Sequence, residues 1–245
     1  MPSASADALT FDAAMLACHC ASCASLTLYF ADILEASASL TFEAMLLLVK
    51  SLLEARLNAL SVDLVFHHVL MVTAAIATRY FYPSHTNVTL FVQIIHLALA
   101  VNYSRRMLGH TRDGALDRCF SSLWLLVIVA RNAMGGAQLA RDILVADPVR
   151  FVLGPLLLGM AALDVKWTRE TLERRPWPFP GAWLLLPVVG VCLGVFVESR
   201  PARGIWALSS AASLTLGLET LATAKAYVVR RRPRGIRQQE KVTTD

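Results

Sequence analysis

Charge is what this sequence has least of. Only 17% of its 245 residues are Asp, Glu, Lys or Arg, 56% are apolar, and the mean hydropathy is +0.53. That balance excludes an ordinary soluble domain and points to an integral membrane protein. No Lys or Arg precedes Lys50, so the first apolar run lacks the basic start of a secretory signal and reads as a retained helix or signal anchor. Cysteine is sparse. "CHCASC" brings Cys18, His19, Cys20 and Cys23 together, but Cys119 and Cys192 stand alone, and zinc wants a second close pair. The small residues of that stretch read instead as a surface for close helix approach. No apolar run beyond the third carries a histidine, which leaves a bis-histidine haem pair without its four ligands. Neither a metal nor a cofactor is expected, and no internal repeat or low-complexity block occurs.

What the chain does have is apolar runs of about 20 residues, the length needed to cross a hydrocarbon core of about 30 Å. Seven lie near 13–31, 63–83, 87–104, 117–134, 148–165, 180–198 and 204–229. The fold class is all-α, a polytopic transmembrane bundle of about seven spans, with an eighth if residues 40–60 also cross. That segment, "LTFEAMLLLVKSLLEARLNAL", carries Glu43, Lys50, Glu54 and Arg56, each costly in lipid. Lys50 and Glu54 stand at i, i+4, as on a solvated face. The favoured reading is an amphipathic helix in the interface, the other an extra span with paired charges. The chain divides into an N-terminal span (1–35), this segment (36–62), a helical core (63–175), two further helices (176–229) and a basic tail (230–245).

Basic residues set the orientation. Alternate loops and the tail hold Arg105, Arg106, Arg112 and Arg118, then Lys166, Arg169, Arg174 and Arg175, then Lys225 and the "RRRPRGIRQQEK" cluster. The opposite loops hold only Arg79, Arg131, Arg141, Arg150, Arg200 and Arg203. With seven spans the N-terminus is expected outside and the C-terminus in the cytoplasm. The net charge of +5 follows from orientation and anionic lipid, without nucleic acid. "RRPWPFPG" reads as a Pro-rich turn anchored by Trp177 and Trp183. The sequons at Asn87 and Asn102 fall within or against spans, where a glycan is not expected.

Within "SVDLVFHHVLMVTAAIATRYFYP", His67 and His68 stand one turn inside the cytoplasmic end of the second span. At a rise of 1.5 Å per residue, His68 is about 7 Å and His96 about 13 Å below that surface, so the three could share a cavity. Asn102, Arg105, Asp164 and Trp167 lie at similar depth. Polar groups there usually line a bundle interior. The plainer alternative is a headgroup-facing His67 with His68 and His96 as hydrogen-bonded packing residues.

The order "FHHV", "AVNYSRRMLG", "LLVIVARNAMG" and "LDVKWTRETLERR", over residues 61–175, resembles the TLC domain shared by ceramide synthases and several lipid-regulating membrane proteins. The resemblance implies an endoplasmic reticulum or other endomembrane protein that binds or regulates membrane lipid. In ceramide synthases the matching histidine pair is required for acyl transfer from acyl-coenzyme A to a sphingoid base. Here "IIHLALAVNYSRR" keeps His96 but has no aspartate after it, and no glutamate stands near Gln93, which favours a divergent lipid protein over a synthase. In an acyltransferase, His67 or His68 would be the general base and Arg105 or Arg106 would meet the coenzyme A phosphates. In a binding protein, His96, Asn102, Arg105 and Trp167 would hold a lipid headgroup. A channel or transporter is the main alternative. A retinal protein is a further one, although Lys225 lies close enough to the Arg230 cluster to snorkel to the surface.

Overall fold

The computed structural model describes residues 6–56, 61–81, 91–109, 114–144, 150–172 and 200–231, all of them helices and short turns. Seven helices are described: α1 (Ala6–Phe30), α2 (Ala36–Arg56), α3 (Val62–Phe81), α4 (Ile95–Met107), α5 (Ala115–Leu144), α6 (Arg150–Leu172) and α7 (Arg200–Arg231). Among the described residues, three stretches are long and apolar enough to cross a membrane by length and composition, Thr10–Phe30, Ala36–Arg56 and Ala115–Gly136, and Val62–Ile76 is a shorter apolar helix. The expected runs overlap the described helices, but α1 begins seven residues before its run, α5 ends ten and α6 seven residues after theirs, while 87–104 begins and 180–198 falls entirely outside the described residues. Trp177, Trp183, Cys192 and Asn87 are also outside them, as is the side chain of Lys225.

Side-chain pairs along the helices give their directions. Ser25 meets Ser39 and Ser22 meets Glu43, so α1 and α2 are antiparallel. Ser51 meets His68 and Arg79 meets Thr41, which sets α3 antiparallel to α2. Asp12 pairs with Arg106 and His19 with His96, so α4 runs against α1. Arg105 pairs with Asp117, and Trp124 and Asn132 reach Thr168 and Asp164, so α5 and then α6 reverse in turn. Finally, α7 runs against α1, with Thr27 and the Cys23 carbonyl on Ser210. The first turn of α1 therefore lies at the same end of the bundle as the last turns of α2, α4, α6 and α7 and the start of α3. We call this the first end.

Small residues bring α1 and α7 together. A Cβ on Gly217 would overlap Cys20 Sγ, so glycine here permits the close approach expected of the "CHCASC" stretch. Leu16, Cys20, Cys23 and Leu26 enter a core with Ile94, Leu97, Trp124, Ile128 and Trp206. The outward surface is apolar as well: Phe42, Met45, Leu48, Val49 and Leu52 of α2, Val65, Phe66 and Val69 of α3, and Leu158 of α6 are exposed. Between described helices, by contrast, many polar side chains are buried. A bundle apolar outside and polar inside suits a hydrocarbon surround, where polar groups must find partners in the protein.

The α2 helix shows this most clearly. Its buried residues are Ser39, Leu40, Glu43, Leu47, Lys50 and Glu54. The expectation that Lys50 and Glu54 lie on a solvated face is therefore corrected: they are 2% and 5% exposed, and the leucine-rich face points outward. The reason is pairing. Each charge on this face has a partner within reach on α1, α2, α3 or α4, so turning it inward costs less than holding it in lipid.

Candidate functional site

An inner polar network is built from α1, α2 and α4. Glu43 is fully buried and is its hub. Lys50 Nζ donates to Glu43 Oε1 at 3.2 Å, Ser22 Oγ donates to Oε2 at 2.6 Å, and His96 Nε2 stands 2.8 Å from Oε1. Lys50 Nζ is also 3.4 Å from His96 Nε2. On its other side, His96 Nδ1 lies 2.8 Å from His19 Nδ1, with the rings stacked at 5.0 Å. One turn further from the first end, Ser39 takes up Ser25 Oγ at 2.9 Å and the Gln93 amide, which donates to the Ser39 carbonyl at 2.8 Å.

Hydrogen-bond bookkeeping assigns the tautomers. A carboxylate only accepts, so His96 carries its proton on Nε2 toward Glu43. The neutral ring then has a bare Nδ1, and His19 must donate to it from its own Nδ1. His19 Nε2 is left as a buried acceptor with no hydrogen-bond partner among the described residues.

The outer cluster lies nearer the first end, on α2, α3 and α6. Ser51 Oγ donates to the Leu47 carbonyl at 2.8 Å and sits 2.7 Å from His68 Nδ1, so His68 holds its proton on Nδ1 and Nε2 carries the lone pair. Glu54 Oε2 is 3.7 Å from the same Nδ1. His67 packs edge-on against Trp167, ring centres 5.1 Å apart, and its Nδ1 has no hydrogen-bond partner among the described residues. At the rim, Lys166 hydrogen-bonds Asp63, tying α6 to the start of α3. That bond raises the Lys166 pKa above the ordinary lysine value, so this rim contact holds through neutral pH and is lost as pH rises through the raised value.

A third buried pair joins α5 to α6. Arg131 Nε lies 3.5 Å from Asp164 Oδ2, which also accepts from Asn132 Nδ2 at 3.3 Å. The guanidinium stands 4.9 Å over Phe91 and its Nη2 is 3.6 Å from Met71 Sδ. Arg131, counted in the sequence among outside-loop charges, is completely buried.

Of the residues expected to share one cavity, His67, His68 and Trp167 come together, and His96 turns instead toward Glu43, Lys50 and His19. Asn102 and Arg105 do not join the histidine pair in any contact described. Arg105 is held by Asn102 at 3.0 Å and by Asp117 at 3.0 Å, at the α4–α5 end. Sequence reasoning missed Glu43, Lys50, His19 and Ser22 as site residues. A signal was present in α2: Ser39, Glu43, Lys50 and Glu54 recur at spacings of four, seven and four, one face of a helix whose remaining faces are leucine-rich. No group of three or more His, Cys, Asp or Glu among the described residues is arranged to hold a metal ion.

No protein-family model, no curated protein and no solved structure matches this chain. Function therefore rests on the residues themselves.

Proposed function

We propose that the chain is an integral endomembrane protein of TLC-like kind that binds the polar headgroup of a membrane lipid in the outer cluster. The observation that carries this reading is His67, buried against Trp167 with an Nδ1 that has no hydrogen-bond partner among the described residues, beside His68, at the end of a bundle whose described outer surface is apolar. A headgroup entering from the lipid–water boundary would meet two imidazoles and an indole edge while its acyl chains stayed on the leucine-rich surface. In an acyl-transfer version, His68 is the better base, because Ser51 and Glu54 orient its Nδ1 and leave Nε2 to take a proton. The test is mass spectrometry of lipid retained by protein purified in mild detergent. Wild type should carry one lipid class in excess over the bulk membrane, and His67→Ala with His68→Ala should lose it at unchanged yield. Equal lipid content in both proteins would refute the reading.

The same reading takes α2 as a membrane span. With the apolar run at 180–198 counted from the sequence, crossings number eight. Both termini would then lie on one side, the cytoplasmic side by the basic residues at the first end, among them Arg56, Arg105, Arg106, Arg118 and Arg169.

A second reading, a proton-coupled channel or transporter, is favoured by one specific observation: a hydrogen-bonded series of titratable groups, Lys50, Glu43, His96 and His19, inside the bundle. Proton flux into liposomes loaded with a pH dye would distinguish a conducting protein from a lipid binder.

A further inference from the structure

We propose that His19, His96, Glu43 and Lys50 form a proton-transfer site that takes one proton from water at His19 Nε2 and delivers it to the Glu43 carboxylate. The inference stands apart from the lipid reading, since it uses none of the outer-cluster residues.

The geometry supports each step. Among the described residues, His19 Nε2 is the one atom of the tetrad left as an unpartnered acceptor, and the residue is 2% exposed. A proton binding there makes His19 doubly protonated. Its Nδ1 proton then crosses the 2.8 Å hydrogen bond to His96 Nδ1, and the His96 Nε2 proton crosses the 2.8 Å contact to Glu43 Oε1. Three N–H or O–H bonds form, two N–H bonds break, and the one added proton comes from hydronium. Both imidazoles end neutral with their tautomers exchanged, and Glu43 ends as a carboxylic acid. Lys50 has lost its counter-charge, and the Nε2 lone pair of His96, 3.4 Å from Nζ, now accepts from the new Glu43 Oε1–H.

Packed side chains lie between His19 and the first end. Asp12 pairs with Arg106 at 2.8 Å, where Arg106 is partly solvated, Arg106 lies 5.1 Å over the Tyr103 ring, and Tyr103 stands 5.2 Å from the His19 ring. Among the described residues, the charged and titratable groups around the tetrad are Asp12, Cys18 and Cys23 on α1, Glu54 on α2, His67 and His68 on α3, Tyr103 and Arg106 on α4, and Arg131 on α5. From α7 the buried polar side chains among those described are hydroxyls, Ser210, Ser213 and Thr220. None of these neighbours lies between the four atoms that hand on the proton.

The test is nitrogen NMR of isotope-labelled histidine in the full chain, reconstituted in phosphatidylcholine liposomes and titrated from alkaline to mildly acidic pH. The expected alkaline state has His19 protonated at Nδ1 and His96 at Nε2. The expected acid state has both positions exchanged, both rings neutral, and a protonated-carboxyl band in the infrared spectrum. In Glu43→Gln, whose amide cannot take the proton, the His96 tautomer should stay fixed and that band should be lost. Tautomers in wild type that do not change while the protein stays folded would overturn the proposal. So would a doubly protonated His19 or His96 beside an ionised Glu43, which is ordinary titration without transfer. Neither wild-type outcome depends on the variant folding.

Discussion

At the scale of the residue, Glu43 and Lys50 form an ion pair with both side chains buried. Such a pair is weak evidence for stability, because desolvating both charges offsets most of their attraction, yet removing one partner leaves the other charge buried and alone. Glu43→Ala should therefore destabilise the bundle by about 3 to 5 kcal/mol, and Glu43→Leu combined with Lys50→Leu should recover most of that loss. Thermal unfolding of the purified variants in one detergent measures both, and a double variant no better than the single one would show that the pair is not the unit. The ionisable residues of α2 were visible in the sequence as costly groups, but their spacing fits a solvated face and an inward face equally well. Which of the two they occupy depends on whether partners wait across the gap. Here Ser22 and His96 do.

At the scale of the element, α2 is a helix with its polarity reversed relative to a water-soluble amphipathic helix. Leu48 is 58% exposed and Lys50, two residues on, is 2% exposed. If that leucine-rich face meets lipid, Leu48→Arg should reduce membrane insertion by an amount near 2.5 to 3.5 kcal/mol, the cost of arginine at a helix centre. If α2 lay in the interface with its outward face in water, the substitution would be tolerated. Insertion into microsomes, read by glycosylation of engineered sites flanking residues 36–56, decides between these. The existence of most helices was legible from apolar run length alone, but their limits were not. The misses lie at helix ends: α5 continues to Leu144 and α6 to Leu172, past the apolar runs that end at 134 and 165.

At the scale of the whole molecule, the chain of antiparallel contacts puts the start of α1 and the finish of α7 at one end, while the positive-inside count with seven spans puts them on opposite sides. Counting α2 as a crossing reconciles the two, because it changes the parity without moving any of the basic loops after residue 63. A tag at either terminus should then be accessible in cells permeabilised only at the plasma membrane. An N-terminal tag protected under those conditions would return the odd number of crossings.

Composition and apolar run length determined, without any coordinates, that this chain is helical and suited to a membrane, since hydrocarbon admits helices whose backbone bonds are internally satisfied. The pairing of His67 and His68 at the start of one helix was equally a matter of sequence, because neighbours in a chain need no fold to bring them together. Tertiary structure alone decided that His96 belongs with Glu43, Lys50 and His19 rather than with that pair, and that Arg105 closes onto Asp117. Helix rotation chooses the face, and rotation is set by the sum of contacts around each helix. A local stretch of sequence carries the candidates for those contacts but not their partners, which come from residues as far apart as His19 and His96.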